Sequence, residues 1–305
     1  MLSTLPRKKS ARDRVCTSVY ALLMLLIAQR AWAIEVYPGD YTALEAGTDI
    51  GVLYYETAQR NQSWVSGHRQ SGDPRLTSTV AIARYIHFMK VGGVLTDPQL
   101  VVPYGQLDGD KDIASLGNHP GFGDPALVTS VWLINDPAKQ RYLAITPYLF
   151  LPLGSYDKHS ALNLGDNRWS WAVQAGYIQP VGPFMLDLTA DSRWFADNHD
   201  CAAACGSETS RTLSQAPLYS LQASLRLPVS HTTTLFVGGG RILGGETEID
   251  GNQEHDRQAT TNMRLGVSQF LSRTTMLTVA YGRDLEVENG FRETDRVNLR
   301  FNFAF

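Results

Sequence analysis

Residues 294–305 alternate without a break. Val297, Leu299, Phe301, Phe303 and Phe305 fall on one side, and Arg296, Asn298, Arg300, Asn302 and Ala304 on the other. A period of two belongs to a β-strand, whose successive side chains point to opposite faces. This strand presents three phenylalanines along one face, and any fold that contains it must give that face an apolar surrounding. An edge strand of a soluble sandwich and the closing strand of a membrane barrel share the pattern. They differ in what the rest of the chain must look like.

Beyond the N-terminal residues, no stretch stays apolar for the roughly eighteen residues that a spanning helix needs. The 43% hydrophobic content is instead spread along the chain. Twelve segments read as strands: 47–58, 76–89, 92–106, 123–135, 141–154, 168–179, 184–196, 216–228, 232–244, 258–271, 274–287 and 294–305. Short links follow the second, fourth, sixth, eighth and tenth, around Val91-Gly92, Asn135-Asp136-Pro137, Val181-Gly182-Pro183, Ser230-His231 and Ser272-Arg273. Links of about twelve to nineteen residues follow the first, third, fifth, seventh and ninth, and the last link is shorter. Alternation of short turns and long loops, with an even strand number, is the signature of a bacterial outer-membrane barrel. A soluble sandwich has no reason to sort its loops this way. The predicted fold is therefore all-β: an antiparallel up-and-down transmembrane barrel with both termini in the periplasm.

The strands orient themselves. Tyr219, Leu221, Ala223, Leu225 and Leu227 oppose Ser220, Gln222, Ser224 and Arg226; Phe184, Leu186, Leu188 and Ala190 oppose Asp187, Thr189, Asp191 and Arg193. An arginine on the lipid face near the midplane costs about 2–4 kcal/mol, so the charged faces should line the lumen. Trp132, Tyr148, Trp169, Trp171, Tyr177 and Trp194 are expected in the interfacial girdles. In 76–89, Arg84 shares a face with Ile82, Ile86 and Phe88, which predicts a bulge or kink there.

The N-terminus reads as an export signal. Arg7, Lys8, Lys9, Arg12 and Arg14 precede the apolar run 19–28, and Ala31-Trp32-Ala33 has the small-x-small pattern of a cleavage site. Segment 1–33 is expected to be removed, 34–46 to form a periplasmic segment or an inward-folded plug, and 47–305 the barrel. The full chain has 27 Lys+Arg and 30 Asp+Glu; six cations and one acid leave with the signal, so the mature chain would carry 21 and 29, a net −8. A nucleic-acid partner would want a basic stripe instead.

Cys201 and Cys205, four apart in one loop, are expected to form a disulfide that shapes the loop tip. Asp108, Asp110 and Asp112 alternate as in calcium loops, but Ile113 and His119 stand where an EF-hand needs Gly and Glu, so a solvated acidic loop is expected and no metal site. Gly238-Gly239-Gly240 lacks the Gly-Lys-Ser/Thr ending of a phosphate cradle, and suits curvature or the close approach of an internal segment. The histidines lie mostly in loops, no Gly-x-Ser-x-Gly elbow is present, and nothing in the sequence sets His87, the one in a strand, beside a Ser and an Asp. No catalytic residue and no cofactor is therefore expected.

Several motifs resemble one known family. They are Leu151-Pro152-Leu153-Gly154-Ser155-Tyr156-Asp157, Asn163-Leu164-Gly165-Asp166-Asn167-Arg168-Trp169, Gly121-Phe122-Gly123-Asp124, Ala83-Arg84-Tyr85 and Val102-Pro103. Together they resemble the outer-membrane barrel family associated with the MetA pathway of phenol degradation. The family pattern Pro-Thr-Gly-Asp stands here as Pro152-Leu153-Gly154-Ser155. The resemblance implies passage of small molecules, aromatic or hydrophobic ones among them, across the outer membrane of a Gram-negative cell.

The expected function is passive solute uptake by a monomeric barrel, with ligand-binding residues Arg84, Asp187, Asp191, Arg193, Arg226, Arg264, Arg296 and Arg300 in the lumen. An apolar solute would need an inner plug or a lateral opening. The alternative is a barrel with no transport role that acts through its acidic loops. Expected partners are the solute, outer-membrane lipid and lipopolysaccharide, and the barrel-assembly machinery through Phe305.

Overall fold

The computed structural model describes residues 34–305, so the expected export signal lies outside the described residues. Twelve strands form the barrel: β1 (Asp49–Val65), β2 (Pro74–His87), β3 (Val94–Lys111), β4 (Ala126–Asp136), β5 (Arg141–Phe150), β6 (Ser170–Val181), β7 (Phe184–Phe195), β8 (Leu218–Pro228), β9 (Thr233–Gly244), β10 (Gln258–Phe270), β11 (Thr275–Val287) and β12 (Gly290–Ala304). Each pairs antiparallel with its chain neighbours, and β12 closes on β1 from Ile50–Ala304 to Trp64–Gly290. The alternating pattern therefore has a closed solution in which each of the twelve strands pairs with a neighbour on both sides, as a bilayer demands.

Each predicted segment corresponds to one barrel strand. The largest difference is in β1, which runs to Val65 because Arg60–Trp64 continue to pair with Gly290–Glu293 past a register shift. The first long link is thereby reduced to residues 66–73. At the opposite end the turns are tight. Gly92 and Gly93, both at positive φ (59° and 87°), join Met89–Val91 to β3. Two consecutive positive φ values are what a two-residue type I′ hairpin requires.

The outward faces of the strands are apolar, with Leu53, Leu100, Leu133, Leu188, Leu221 and Leu299 among their exposed side chains. In lipid each such leucine gains on the order of 1.5–3 kcal/mol over exposure to water. The inner face divides in two. Around β7–β12 it is charged and polar, with Asp187, Asp191, Arg193, Arg264 and Arg300 buried. Around β1–β6 it carries Val52, Ile86, Leu95, Trp132, Tyr142 and Ile178, packed on Val36 and Tyr41 of the N-terminal segment.

This division corrects two expectations. The pairing of β2 with β1 and β3 runs without a register shift, so the predicted bulge is absent. Ile86 and Phe88 accompany Arg84 inward because Val36 and Tyr41 of the N-terminal segment share one apolar cluster with them, and Ile82 faces the lumen cavity. Trp132 and Tyr148 also point inward rather than joining an interfacial girdle: Trp132 stacks near Phe88 at 5.4 Å, and the Tyr148 hydroxyl bonds Gln174 Oε1 at 3.1 Å. Trp169 and Trp171 are exposed on the outer surface.

Above the barrel, the loops after β7 and β9 build a small sheet from residues 198–201, 211–215, 247–249 and 252–253. Cys201 and Cys205 are disulfide-bonded within it and pack on Ala204, Leu213 and Ile249. The loop after β5 joins this cap: Ala203 N donates to Lys158 O at 2.8 Å, and the Tyr156 hydroxyl donates to Asp200 O at 3.0 Å.

Candidate functional site: the N-terminal segment inside the lumen

Residues 34–43 lie inside the barrel and cross it from the β8–β12 side to the β4–β6 side. Glu35 is clamped between two arginines, with Oε1 3.0 Å from Arg264 Nη1 and Oε2 2.9 Å from Arg296 Nη1. The Gln222 side chain holds the backbone beside it, donating to Ile34 O at 2.7 Å and accepting from Val36 N at 3.2 Å. The chain then turns at Gly39, whose φ of +94° favours glycine and whose N–H donates to Asp187 Oδ1 at 2.8 Å.

Asp40 binds the opposite wall. Its Oδ1 is 2.6 Å from Arg300 Nη1 and its Oδ2 is 3.8 Å from Arg84 Nη1. Tyr41 ends the crossing: its hydroxyl donates to Gln174 Oε1 at 2.7 Å, and its carbonyl accepts from Trp132 Nε1 at 3.1 Å. Tyr37 lies beneath the Arg300 guanidinium at 5.1 Å, and its ring packs against Tyr54 at 5.8 Å. Both carboxylates of the segment are thus paired with barrel arginines in a low-dielectric interior, where unpaired charge is costly.

The structure places all eight predicted lumen residues on the inner face. Arg84, Arg264, Arg296 and Arg300 converge on the N-terminal segment. Arg296 also reaches Glu56 at 2.7 Å and Glu293 at 3.3 Å. Arg226 pairs with Asp187 at 2.6 Å. Asp191 accepts from Gln174 Nε2 at 3.3 Å. Arg193 lies apart, stacked on Phe150 at 4.0 Å and Phe195 at 5.0 Å, and 3.5 Å from Asp166. Sequence reasoning missed their partners Glu35 and Asp40, and with them the anchor Tyr41, which no strand pattern marks.

On the side of the long loops the segment bounds a cavity of about 520 Å³. One wall is mainly apolar, with Leu76, Val80, Ile82, Pro103, Leu107 and Phe150 beside Arg84; the other carries Arg60, Arg264, Asp284, Glu293 and Arg296. A solute there meets an apolar surface and guanidinium groups together.

The motif residues meet at the rim of this cavity. Asp124 accepts from Gly154 N at 2.9 Å through Oδ1 and from Asp166 N at 2.8 Å through Oδ2. Ser155 Oγ accepts from Phe122 N at 3.0 Å. A Cβ on Gly154 would come within 2.7 Å of Gly165 Cα, so these glycines let two loop segments touch. The Gly-x-Gly-Asp, Pro-x-Gly-Ser and Asn-x-Gly-Asp motifs therefore knot the loops together, and Ser155 serves that knot. The Asp108–Asp112 segment acts likewise: Asp112 accepts from Asp73 N at 2.6 Å, and Lys111 pairs with Asp73 at 2.5 Å.

In the cap, the Ser210 hydroxyl and then Lys158 hold the Asp200 carboxyl below the usual range. Thr212 N–H and then Arg211 do the same for Asp250. His87 lies beside a carboxylate, with Nδ1 2.8 Å from Asp49 Oδ1, and among the described residues no serine hydrogen-bonds to either side chain. The second group there is the Tyr85 hydroxyl, which donates to the same oxygen at 2.5 Å, so the cluster closes a strand end.

Known proteins agree with this architecture. An outer membrane channel from Pseudomonas putida F1 superposes with a TM-score of 0.84 at 37% identity, covering 89% of this chain and 100% of that one. The transport unit of the autotransporter AIDA-I from Escherichia coli superposes with a TM-score of 0.51 at 7% identity, covering 95% and 99%, a likeness of fold alone. No curated protein sequence matches. The model of the family described as "Putative MetA-pathway of phenol degradation" matches residues 58–301. With that match over most of its length, the chain belongs to this family of outer-membrane β-barrels.

Proposed function

We propose that the protein is a passive channel for small solutes, with aromatic and hydrophobic molecules among them, and that residues 34–43 obstruct it on the periplasmic side. The observation that carries this reading is the cavity with one mainly apolar and one arginine-bearing wall, bounded below by a segment of the chain itself. A 520 Å³ space lies within the usual range for small-molecule sites. The solute moves down its gradient without cofactor, catalysis or energy coupling, and Arg84, Asp187, Asp191, Arg193, Arg226, Arg264, Arg296 and Arg300 contact it along the lumen.

The route through the lumen is favoured over a lateral one. The β3–β4 pairing ends at Val101–Ala126, but residues 118–122 continue the wall by pairing with Tyr104–Asp108. The barrel acts as a monomer, its apolar band against lipid and lipopolysaccharide, and Phe305 is read by the barrel-assembly machinery. The disulfide-bonded cap favours a second reading, a surface-binding platform without transport.

Single-channel conductance of the refolded protein in planar bilayers, with aromatic acids, phenols and sugars added in turn, tests the proposal. Conducting steps that one solute class blocks support the channel. A folded, heat-modifiable protein that passes no current and no solute supports the platform.

A further inference from the structure

Glu35 occupies the position that a solute carboxylate would take. Its two oxygens bridge Arg264 and Arg296 at 3.0 and 2.9 Å on the charged wall of the cavity. The two arginines are not equivalent. Without Glu35, Arg296 would keep Glu56 at 2.7 Å and Glu293 at 3.3 Å. Among the described residues, Arg264 would keep only neutral partners, Gln222 Oε1 at 3.5 Å and Ser224 Oγ at 3.4 Å. Arg264 is buried, so departure of Glu35 leaves a desolvated cation that a new anion must neutralise.

We propose that Arg264, with Arg296, is a carboxylate-binding site whose resting occupant is Glu35, and that a small carboxylate solute with an apolar body displaces it and swings residues 34–37 aside. This deepens the channel reading and rests on it. The pivot is available at Gly39, where the positive φ forms a turn between two separately anchored parts. On one side, Glu35, the Gln222 contacts and the packing of Val36 and Tyr37 hold the arm. On the other, Asp40 on Arg300 and Tyr41 on Gln174 remain as the anchor.

The apolar wall of Leu76, Val80, Ile82 and Phe150 faces the same cavity and selects the body of the solute. Tethered by a few residues, Glu35 acts as a ligand at an effective concentration on the order of millimolar. Millimolar solute therefore competes with it, whereas a neutral isostere has no charge to offer Arg264.

The test uses a single cysteine at Val36, which is buried when the arm is seated. The Val36→Cys protein is reconstituted in liposomes, and its labelling rate with a membrane-impermeant maleimide is measured in millimolar benzoate or benzamide. Solute permeation is followed in parallel by liposome swelling. We expect benzoate to accelerate labelling several-fold, benzamide to leave it unchanged, and Arg264→Gln to abolish the benzoate response. Permeation of both solutes with labelling indifferent to either would overturn the displacement and leave the channel reading intact. Failure of both to permeate even the Glu35→Gln/Asp40→Asn protein would overturn the channel reading itself. Heat-modifiability on gels verifies that each variant is folded.

Discussion

The ring of Tyr41 lies directly against the backbone of Gly176 in β6, so close that a Cβ at position 176 would come within 2.1 Å of it. The absence of a side chain there lets the hydroxyl reach Gln174 and Thr146, at 2.7 and 3.2 Å. The seat of the N-terminal segment is thus built from a missing side chain on one strand and two hydrogen-bonding groups around it.

Gly176→Ala should unseat Tyr41. Overpacking a fitted site costs about 1–3 kcal/mol, and here the segment can yield while the barrel need not. The expected outcome is a higher single-channel open probability with unchanged heat-modifiability. An unaltered conductance would mean that Tyr41 does not anchor the obstruction.

Asp40→Asn should free Arg300 from its 2.6 Å pair while Tyr54 and Tyr37 remain stacked on it. Breaking a buried ion pair by removing one partner costs on the order of 3–5 kcal/mol. The cost falls on docking of the N-terminal segment, so faster proteolysis of residues 34–43 from the periplasmic side is expected, with the barrel intact.

Replacing Cys201 and Cys205 with serine should loosen the cap alone. A loop this small is worth roughly 2 kcal/mol of chain entropy, and it is joined to Leu213 and Ile249 rather than to the barrel wall. Protease sensitivity should rise in residues 198–215, while the thermal midpoint of the barrel stays unchanged.

The cap should also have a one-sided response to pH. Asp200 and Asp250 have carboxyls lowered by their hydrogen-bond donors, so their contribution is fully present above the ordinary aspartate value of about 3.9 and is lost as pH falls through the lower folded values. Hydrogen exchange in the cap should be flat with respect to these groups from pH 8 to pH 5 and change only in stronger acid. A transition near neutrality would assign control to another group.

Asp124→Ala removes the acceptor of two backbone N–H groups, those of Gly154 and Asp166. A fully buried unsatisfied donor costs about 1–3 kcal/mol, and these two, being partly buried, should cost less. The loops after β3 and β5 should separate, giving noisier conductance and new cleavage sites at 151–169. Asp124→Asn, which keeps one acceptor, should lie between wild type and Asp124→Ala.

The strands were legible because a bilayer imposes one rule on every strand: alternate faces must differ. Leu221 and Leu225 against Gln222 and Arg226, or Leu188 against Asp187 and Asp191, report their faces locally. The short turns at Gly92-Gly93 and Gly182-Pro183 announce themselves through residues that fit tight reversals. The disulfide partners were legible for the same local reason, being four residues apart in one loop.

The candidate site was less legible where the rule assumed that the lumen holds water. Ile82, Ile86 and Phe88 looked misplaced beside Arg84, and Trp132 and Tyr148 looked interfacial. For Ile86, Phe88 and Trp132 the readings failed because Val36 and Tyr41 pack with them on that side of the lumen, while Ile82 and Tyr148 line the cavity. An inward apolar residue then gains from burial as it would in a soluble core. The motifs at 121–124, 152–155 and 163–166 marked the family, but their purpose as a loop knot depends on contacts between segments some thirty to forty residues apart.

By itself the sequence determined the export expectation, the twelve strands, the sorting of turns from loops, and which charged side chains turn away from lipid. Each of these follows from neighbours along the chain. Only the tertiary structure decided that residues 34–43 lie inside the barrel, that Glu35 bridges Arg264 and Arg296, and that Asp40 pairs with Arg300 260 residues away. Those pairings arise because closing the barrel brings distant strands around a segment with no periodicity of its own, and burial then obliges each of its charges to find a partner.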